Sequence, residues 1–187
     1  NYQAAVDNYT KALELKPATY KYIIGRAGDY RILNEKMKAL KDYEDALKIK
    51  NSEKWLYTRI SELAMEMGEY RKACTYAEQL IAKDSKNMDA YRKAACCYIM
   101  LKDFKRSVEY CNSAIKKEQY NHITHYYKAL ALDSMKMYSE ANLDYVIAIK
   151  LLYNYELAEN KKVLPQFKCY FYNHAVCLHN LKDYNSA

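Results

Sequence analysis

The chain has 187 residues, 51% of them hydrophobic and 28% charged, with a formal net charge of +7. Three glycines and two prolines are too few for the frequent turns of a sheet-rich protein, so we expect helices joined by short turns. The positive charges are mixed with negative ones along the chain, whereas proteins that bind nucleic acids usually concentrate theirs in a basic stripe.

The predicted helices recur with a fixed period from the start of the chain. We call the residues at one position of successive repeats a column. One column is aromatic and consists of Tyr2, Tyr70, Phe104 and Tyr138, with Lys36 as its one non-aromatic member. The repeat also has two columns of small residues, which are Ala5, Ala39, Ala73, Ser107 and Ala141, and Ala12, Ala46, Ala114 and Ala148, with Leu80 at the remaining step. Small side chains allow two antiparallel helices to pack closely, and such pairs bury their apolar faces by stacking on the next pair. The pattern therefore predicts an all-α solenoid of antiparallel helix pairs.

In chain order, this period divides the sequence into complete and partial units. Residues 1–19 are a partial repeat that holds only a second helix, and the complete repeats are 20–53, 54–87, 88–121 and 122–155. A partial repeat covers 168–187, where the sequence stops early in another second helix, near Tyr184. Solenoid ends normally carry a polar cap, and neither end shows one. We therefore expect residues 1–187 to be one solenoid segment of a longer chain.

One insertion interrupts the period. The aromatic column continues from Tyr138 to Tyr184, a longer step than any before it, so the insert region 154–167 holds residues that the other repeats lack. Residues 151–158 are compatible with a continuation of the preceding helix, and Pro165 suits the first turn of the next one. Two interpretations stay open: a tolerated longer loop, or an extension that contacts a partner.

A period of 34 with small residues at the eighth, twentieth and twenty-seventh positions resembles the tetratricopeptide repeat (TPR) family. The eighth position would be occupied by Ala27, Ser61, Ala95, Ala129 and Ala175. Pro17 stands at the closing proline of the family, but later units depart from it, with Asn51, Ser85, Gln119 and Tyr153. The seventh position, often Leu in the family, is Arg26, Lys128 and His174 in three units. The resemblance covers essentially the whole chain and implies a right-handed TPR superhelix.

In this family, the first helix of each unit lines a concave groove that binds a partner protein. Carried onto this sequence, the groove would include Trp55, Arg59, Arg92, Lys93, Tyr126, Tyr127, Leu130, Tyr172 and Asn173. It would be basic at its centre and aromatic towards the C-terminal side, and aromatic and Arg side chains dominate binding hot spots. A protein or peptide segment with acidic and apolar residues would complement it. The resemblance thus implies a protein–protein interaction scaffold or adaptor, acting as a subunit of an intracellular multiprotein complex.

Two alternative functions are weaker. A co-chaperone or assembly factor of this family would grip a terminal carboxylate with a clamp of Lys, Asn and Arg residues, and no choice of three successive units supplies a complete clamp. An RNA-binding helical repeat is suggested only by the net charge, since base-reading polar side chains on each unit are not evident. We therefore consider nucleic acid an improbable partner.

The sequence shows no pattern typical of an enzyme. It has no phosphate-binding Gly-rich loop and no nucleophile motif, and we predict no catalytic residue and no cofactor. His122 and His125 are three residues apart on one predicted helix, but no carboxylate at helical spacing joins them, so we predict no metal site.

The cysteines and the hydropathy suggest where the protein is found. The six cysteines fall on apolar helical faces without zinc-finger spacing, which favours core thiols in a reducing compartment. No apolar stretch approaches the roughly 18 residues of a membrane span, and no signal peptide opens the chain. The sequence predicts a cytoplasmic protein, with the nucleus and the cytoskeleton or cilium left open.

Overall fold

A computed structural model describes residues 1–158 and 167–185 of the chain, and these residues form α-helices and short turns without a strand. The helices are α1 Tyr2–Leu15, α2 Tyr20–Ile32, α3 Lys36–Ile49, α4 Lys54–Glu66, α5 Tyr70–Lys83, α6 Met88–Met100, α7 Phe104–Ile115, α8 His122–Ser134, α9 Tyr138–Ala158 and α10 Lys168–Asn185. In the part of the chain that the structure describes, no helix is long and apolar enough to cross a membrane.

The chain divides into two compact units, which are described separately. Unit 1 is Asn1–Ser85 and contains α1 to α5, and unit 2 is Lys86–Ala187 and contains α6 to α10. In unit 1 the closest partners are α2 with α3 and α4 with α5. In unit 2 they are α6 with α7 and α8 with α9, and α10 packs mainly on α9. Apart from the contact of α10 with α9, each pair is a first and a second helix of one predicted repeat.

The helix starts recur at the same interval as the repeated residues of the sequence. The first helices α2, α4, α6 and α8 begin at Tyr20, Lys54, Met88 and His122, and the second helices α1, α3, α5, α7 and α9 begin at Tyr2, Lys36, Tyr70, Phe104 and Tyr138. Both series advance by the same step, which is the period of the sequence columns. The eighth-position residues Ala27, Ser61, Ala95 and Ala129 are fully buried, as are the second-helix residues Ala39, Ala46, Ala73, Ala141 and Ala148. The small columns therefore lie where the paired helices come closest.

The turn inside each helix pair recurs with the same period. Its central residue adopts a left-handed conformation and is Asn34, Gly68, Lys102 and Lys136 in the successive repeats, with φ between 59° and 77°. The next N–H donates to the carbonyl five residues back, from Glu35 to Tyr30, Glu69 to Ala64, Asp103 to Tyr98 and Met137 to Leu132, at 2.8–2.9 Å. This is the Schellman pattern that ends a helix. For a lysine the left-handed conformation costs about 1–2 kcal/mol, which the packing of the following helix offsets.

Helix α10 differs from the other first helices in two ways. It runs without a break to Asn185, so the prediction of a turn and a second helix starting near Tyr184 was wrong for the described residues. Tyr170, which packs on α8, and Cys177, which bonds the Tyr138 carbonyl of α9, are buried, whereas Phe171, Ala175 and Leu178 are exposed. These last three occupy the columns that pack, in the other repeats, on the second helix of the same repeat.

The insertion is only partly visible. Helix α9 continues to Ala158, well beyond the length of the other second helices, and α10 begins at Lys168. Most of the predicted insert region 154–167, including Pro165, lies outside the described residues. The choice between a tolerated loop and a partner-contacting extension therefore stays open.

The departures at the seventh position have a structural explanation in two repeats. In unit 1, Arg26 forms two hydrogen bonds of 2.8 Å with the buried Asp42 of α3. In unit 2, Lys128 Nζ lies 2.9 Å from the buried Asp144 of α9. Each cation therefore meets a carboxylate at the same spacing along the chain, on the second helix of its own repeat. The charge replaces leucine without leaving an unpaired ion in the core.

Candidate functional site

Three first helices of unit 2 carry most of the residues predicted to bind a partner. We call this surface the first-helix face; it consists of Arg92, Lys93 and Cys96 of α6, Tyr126, Tyr127 and Leu130 of α8, and Tyr172, Asn173 and Val176 of α10. The face contains seven of the nine predicted groove residues. Trp55 and Arg59 belong to unit 1 and lie on α4.

Side-chain contacts join the three helices across this face. The Tyr127 hydroxyl of α8 and the Cys96 thiol of α6 form a hydrogen bond. The rings of Tyr126 and Tyr127 are 6.1 Å apart, centroid to centroid. On the other side, Asn173 Nδ2 of α10 donates to the Tyr126 hydroxyl at 2.8 Å. The row Cys96–Tyr127–Tyr126–Asn173 therefore connects α6 to α10 without a gap.

Tyr126 is the centre of this row, but it is a packing residue. Its side chain is 8% exposed, and its ring stacks on Tyr170 with centroids 3.8 Å apart and planes 7° from parallel. Its hydroxyl also bonds the Cys169 thiol. The expectation that Tyr126 offers its ring to a partner is thus corrected: α10 covers that ring, and Tyr126 supports the face from beneath.

The residues around Tyr126 remain accessible to a partner. Tyr172 is 71% exposed and Val176 is 39% exposed on α10. Tyr127 and Leu130 on α8 are half-buried, so each presents part of an apolar side chain to solvent. Large exposed aromatic and aliphatic side chains beside hydrogen-bonding groups are typical of binding surfaces.

The charges at the α6 end of the face are balanced within the unit. Arg92 bonds both Asp89, at 3.4 Å, and Glu118, at 3.2 Å, and Lys93 pairs with Asp89. Burial favours the neutral form of Asp89, but the hydrogen bond and charge of Lys93, together with Arg92, hold its pKa below the usual value. Two cations therefore face two carboxylates, and the basic centre expected from the sequence is largely neutralised by acidic neighbours.

Tyr127 and Cys96 of the face, and His122 beside it on α8, are neutral hydrogen-bonding groups at physiological pH. Burial raises the pKa of Tyr127, and the neighbouring Cys96 raises it further. Burial likewise raises the pKa of Cys96, so its thiol is a weak nucleophile. Burial, helped by the positive charge of Arg92, lowers the pKa of His122, whose Nδ1 is 3.1 Å from the Tyr170 hydroxyl. These groups are suited to hydrogen bonding and not to nucleophilic attack.

In unit 1, Trp55 and Arg59 lie on one exposed side of α4. The Trp55 ring meets the Tyr43 ring edge-on with centroids 6.2 Å apart, and its Nε1 donates to Glu53 at 3.1 Å. Arg59 pairs with Glu62 of the same helix at 3.0 Å. Trp55 is 40% exposed, so part of its ring is available for contact. Both stay predicted binding residues, on a surface of their own.

A buried polar cluster in unit 2 was not predicted. His125 Nδ1 lies 2.7 Å from Asp144 Oδ1, His125 Nε2 lies 3.2 Å from the Gln119 carbonyl oxygen, and Lys128 bonds the other oxygen of Asp144. Sequence reasoning placed His125 at a packing position, correctly, but missed the carboxylate because Asp144 comes from the next helix. Within the described ranges, no three His, Cys, Asp or Glu side chains group as metal ligands.

The cysteines only partly follow the expectation of core thiols. Cys74, Cys97, Cys111 and Cys177 are buried, Cys96 is half-buried, and Cys169 is exposed. Burial raises the pKa of Cys111 to about 12 and that of Cys177 to about 11, as befits thiols used as small apolar groups. The prediction was wrong for Cys169, because the first turn of α10 leaves its side chain at the surface.

Comparisons with known proteins define the fold. A scan against protein-family models finds no match. A comparison with curated protein sequences finds no relative. Among solved structures, the crystal structure of MamA protein superposes with a TM-score of 0.73 at 16% identity, covering 87% of this chain and 88% of that chain. A TPR protein from Parabacteroides merdae superposes with a TM-score of 0.72 at 16% identity, covering 97% of this chain and 67% of that one.

A third solved structure bears on binding. YrrB, described as a TPR protein with an unusual peptide-binding site, superposes with a TM-score of 0.62 at 20% identity. The superposition covers 93% of this chain and 97% of YrrB. Together with the helix pairs and their regular period, these likenesses confirm the predicted fold class, an all-α TPR solenoid of antiparallel helix pairs.

Proposed function

We propose that this chain is a non-catalytic interaction scaffold that binds a segment of a partner protein along the first-helix face of unit 2. The observation that carries the proposal is the unbroken row Cys96–Tyr127–Tyr126–Asn173, with Tyr172 exposed beside it. The row fixes the spacing of three helices, so the surface above it is organised before a partner arrives. Preorganised surfaces lose less entropy on binding.

The chemistry of the face suggests the kind of segment that it binds. Tyr127, Leu130 and Tyr172 offer apolar area, and the tyrosine hydroxyls and Asn173 offer hydrogen bonds. Arg92 and Lys93 would attract an acidic partner residue only if it displaced Asp89 or Glu118, their present partners. We therefore propose an extended or helical segment that is mainly apolar, with at most a secondary acidic contribution, in an intracellular, cytoplasmic multiprotein complex.

The likeness to YrrB supports a peptide ligand, since that protein is described as having a peptide-binding site on the same fold. At 20% identity it does not specify which residues of this chain take part. Trp55 and Arg59 of unit 1 form a second candidate surface for a partner.

The test uses three forms of the full chain to capture partners from nuclease-treated lysate. The first is the wild type, and the second carries Tyr172→Ala and Leu130→Ala. The third, a matched control, carries Tyr120→Ala, which removes a tyrosine that is 76% exposed in the turn before α8 and is not one of the residues of the face. Tyr126 is left intact because its removal would damage the core. Circular dichroism confirms that all three forms keep their helicity.

We expect the wild type and the control to retain the same protein and the double variant to lose it. With that partner purified, Tyr172→Ala alone should weaken binding by about tenfold or more, as for an aromatic hot spot. Equal retention by all three forms would contradict the proposal and move attention to Trp55 and Arg59. Loss of every partner on nuclease treatment alone would favour the RNA-binding alternative, and retention of a chaperone through its C-terminal tail would favour the co-chaperone.

A further inference from the structure

Helix α9 carries an exposed apolar pair, and neither residue belongs to the first-helix face. Leu143 is 63% exposed and Ile147 is 40% exposed. Glu140 and Lys150 are exposed on the same side, one turn before and one turn after the pair. The four residues Glu140, Leu143, Ile147 and Lys150 form what we call the α9 stripe.

The other second helices have polar residues at the positions of this apolar pair. The residues that occupy the positions of Leu143 and Ile147 in the preceding repeats are Glu109 and Ser113 of α7, Thr75 and Gln79 of α5, Lys41 and Asp45 of α3, and Asp7 and Lys11 of α1. Four second helices thus place polar side chains where a solvent-exposed position is expected. Only α9 replaces both with aliphatic residues, so packing within a TPR repeat does not require them.

The spacing of the α9 stripe is that of a helix–helix seam. Its members are separated by three, four and three residues, which is the a–d–a–d spacing of a coiled coil. The aliphatic pair occupies the centre, and an acidic and a basic residue occupy the two ends. Over about 15 Å of helix, the stripe therefore has an apolar middle between opposite charges.

This arrangement is complementary to itself when it is reversed. In an antiparallel pair of α9 helices related by a two-fold axis at residue 145, Leu143 meets Ile147 of the other copy. The same axis places Glu140 against Lys150 of the other copy, because residues 140 and 150 lie at equal distances on either side of residue 145, as residues 143 and 147 do. An isologous contact thus forms two aliphatic layers and two ion pairs at once. We propose that the chain self-associates through antiparallel pairing of the α9 stripe.

A second copy explains the charges better than an unrelated partner does. An unrelated partner would require only the apolar centre of the stripe. It would not explain why one acidic and one basic residue stand at equal distances from that centre. Within a single helix, Glu140 and Lys150 are about 15 Å apart and cannot pair with each other. Their symmetrical placement has a function only between two molecules.

The seam is short, so the expected association is weak and reversible. It buries less than the roughly 1,200–2,000 Å² of a stable specific interface. We therefore expect a dissociation constant in the micromolar range, and dimers whose population rises with protein concentration. The first-helix face of unit 2 does not overlap the stripe, so each copy in the dimer would keep it open.

The first test makes α9 resemble its neighbour α7. Leu143→Glu with Ile147→Ser introduces the residue types that α7 carries at Glu109 and Ser113. Both positions are exposed, so the variant should fold, and circular dichroism verifies its helicity. By sedimentation velocity over a concentration series of the full chain, we expect the wild type to dimerise and the variant to associate at least tenfold more weakly. The control is Tyr120→Ala, which should dimerise like the wild type.

The second test uses charge exchange and identifies the geometry. Glu140→Lys alone places two lysines against each other at both ends of the seam, and Lys150→Glu alone places two glutamates there. Each single variant should therefore dimerise about tenfold more weakly than the wild type. In a mixed pair of the two variants, one copy carries two lysines and the other carries two glutamates, so opposite charges meet at both ends of the seam. We therefore expect heterodimers to form in preference to either homodimer.

The outcomes separate this pairing from other arrangements. A wild type that remains monomeric at the highest concentration reached would overturn the proposal. Dimerisation of the Leu143→Glu, Ile147→Ser variant at wild-type strength would place the interface elsewhere and would also overturn it. Loss of association in both single charge variants without recovery in their mixture would exclude the antiparallel alignment that defines it.

Discussion

The four complete repeats share one backbone arrangement, but at one pair of packing positions two repeats carry charged residues and two carry uncharged ones. The first position is the seventh of the first helix, and the second is the residue that it meets on the second helix. The outer repeats, 20–53 and 122–155, carry charges there, and the inner repeats, 54–87 and 88–121, do not. The outer pairs are Arg26 with Asp42 and Lys128 with Asp144, and the inner ones are Ile60 with Tyr76 and Ala94 with Tyr110. The TPR packing therefore accepts either solution, provided that a charge never enters alone.

The two charged pairs are about equally enclosed, but their carboxylates differ in how many side chains they bond. Asp144 is bonded by two cationic or polar partners of α8, Lys128 and His125, and its side chain is 8% exposed. Asp42 receives both of its bonds from Arg26, whose side chain is 20% exposed and also bonds the Thr10 hydroxyl at 3.2 Å. Removal of the carboxylate thus leaves more buried polar groups unpaired in unit 2 than in unit 1.

The largest effect is expected for Asp144→Ala. The substitution leaves Lys128 and the buried His125 without their shared partner, and breaking such a buried network typically costs about 3–5 kcal/mol of the free energy of unfolding. Chemical denaturation monitored by circular dichroism measures this loss. The control is Asn154→Ala, at an exposed position of the same helix, which should change stability by less than about 0.5 kcal/mol. A loss for Asp144→Ala no larger than about twice that of the control would show that water replaces the carboxylate.

A smaller loss, about 2 kcal/mol, is expected for Asp42→Ala in unit 1. Arg26 keeps its bond to Thr10 and can turn its guanidinium towards solvent, so it is not left as an isolated buried charge. The matched control is Asp45→Ala, which breaks the pair with Lys48 on the same helix and leaves both hydrogen bonds between Arg26 and Asp42 in place. If Asp42→Ala and Asp144→Ala cost the same in this denaturation assay, the additional partner of Asp144, His125, would not matter.

The sequence predicted the repeat more fully than it predicted these pairs. The regularly spaced columns located nearly every helix start, because packing of small residues such as Ala39 and Ala141 is imposed by the helix pair itself. The charged seventh positions appeared as departures, because their carboxylates come from the following helix. The sequence did contain a signal for these pairs, because Arg26 and Lys128 each precede an aspartate by the same number of residues. A search for one residue type at one repeated position does not detect such a recurring pair.

The site was harder to predict for a related reason. Family positions place Tyr126 and Tyr127 side by side on the first-helix face, yet Tyr126 is covered by Tyr170 and Tyr127 is not. Which of two neighbouring tyrosines becomes core depends on the helix that packs beside them, here α10 after an irregular insertion. The expected basic centre failed likewise, because Asp89 and Glu118 neutralise Arg92 and Lys93 only in three dimensions.

The smallest effect is expected when the charged pair of unit 1 is replaced by the uncharged residues that the next repeat carries at the same two positions. Arg26→Ile with Asp42→Tyr introduces the types found at Ile60 and Tyr76. Replacing a buried ion pair by apolar residues that pack well is often neutral, so we expect a change within about 1 kcal/mol of the wild type. The buried Ile23 occupies the position of Tyr57, whose ring lies beside Tyr76, so the smaller isoleucine leaves room for a new aromatic ring.

A double-mutant cycle makes this last prediction decisive. Arg26→Ile alone leaves the buried Asp42 unpaired, and Asp42→Tyr alone leaves Arg26 beside a bulkier neighbour, so each single change should cost more than the double change. The Thr10 hydroxyl still donates to the Val6 carbonyl at 2.8 Å, so it is not orphaned by the loss of Arg26. Denaturation of the four proteins gives the coupling energy. A double variant as unstable as Asp42→Ala would mean that the repeats are not interchangeable at this position, and that the charged pair is fitted to its own surroundings.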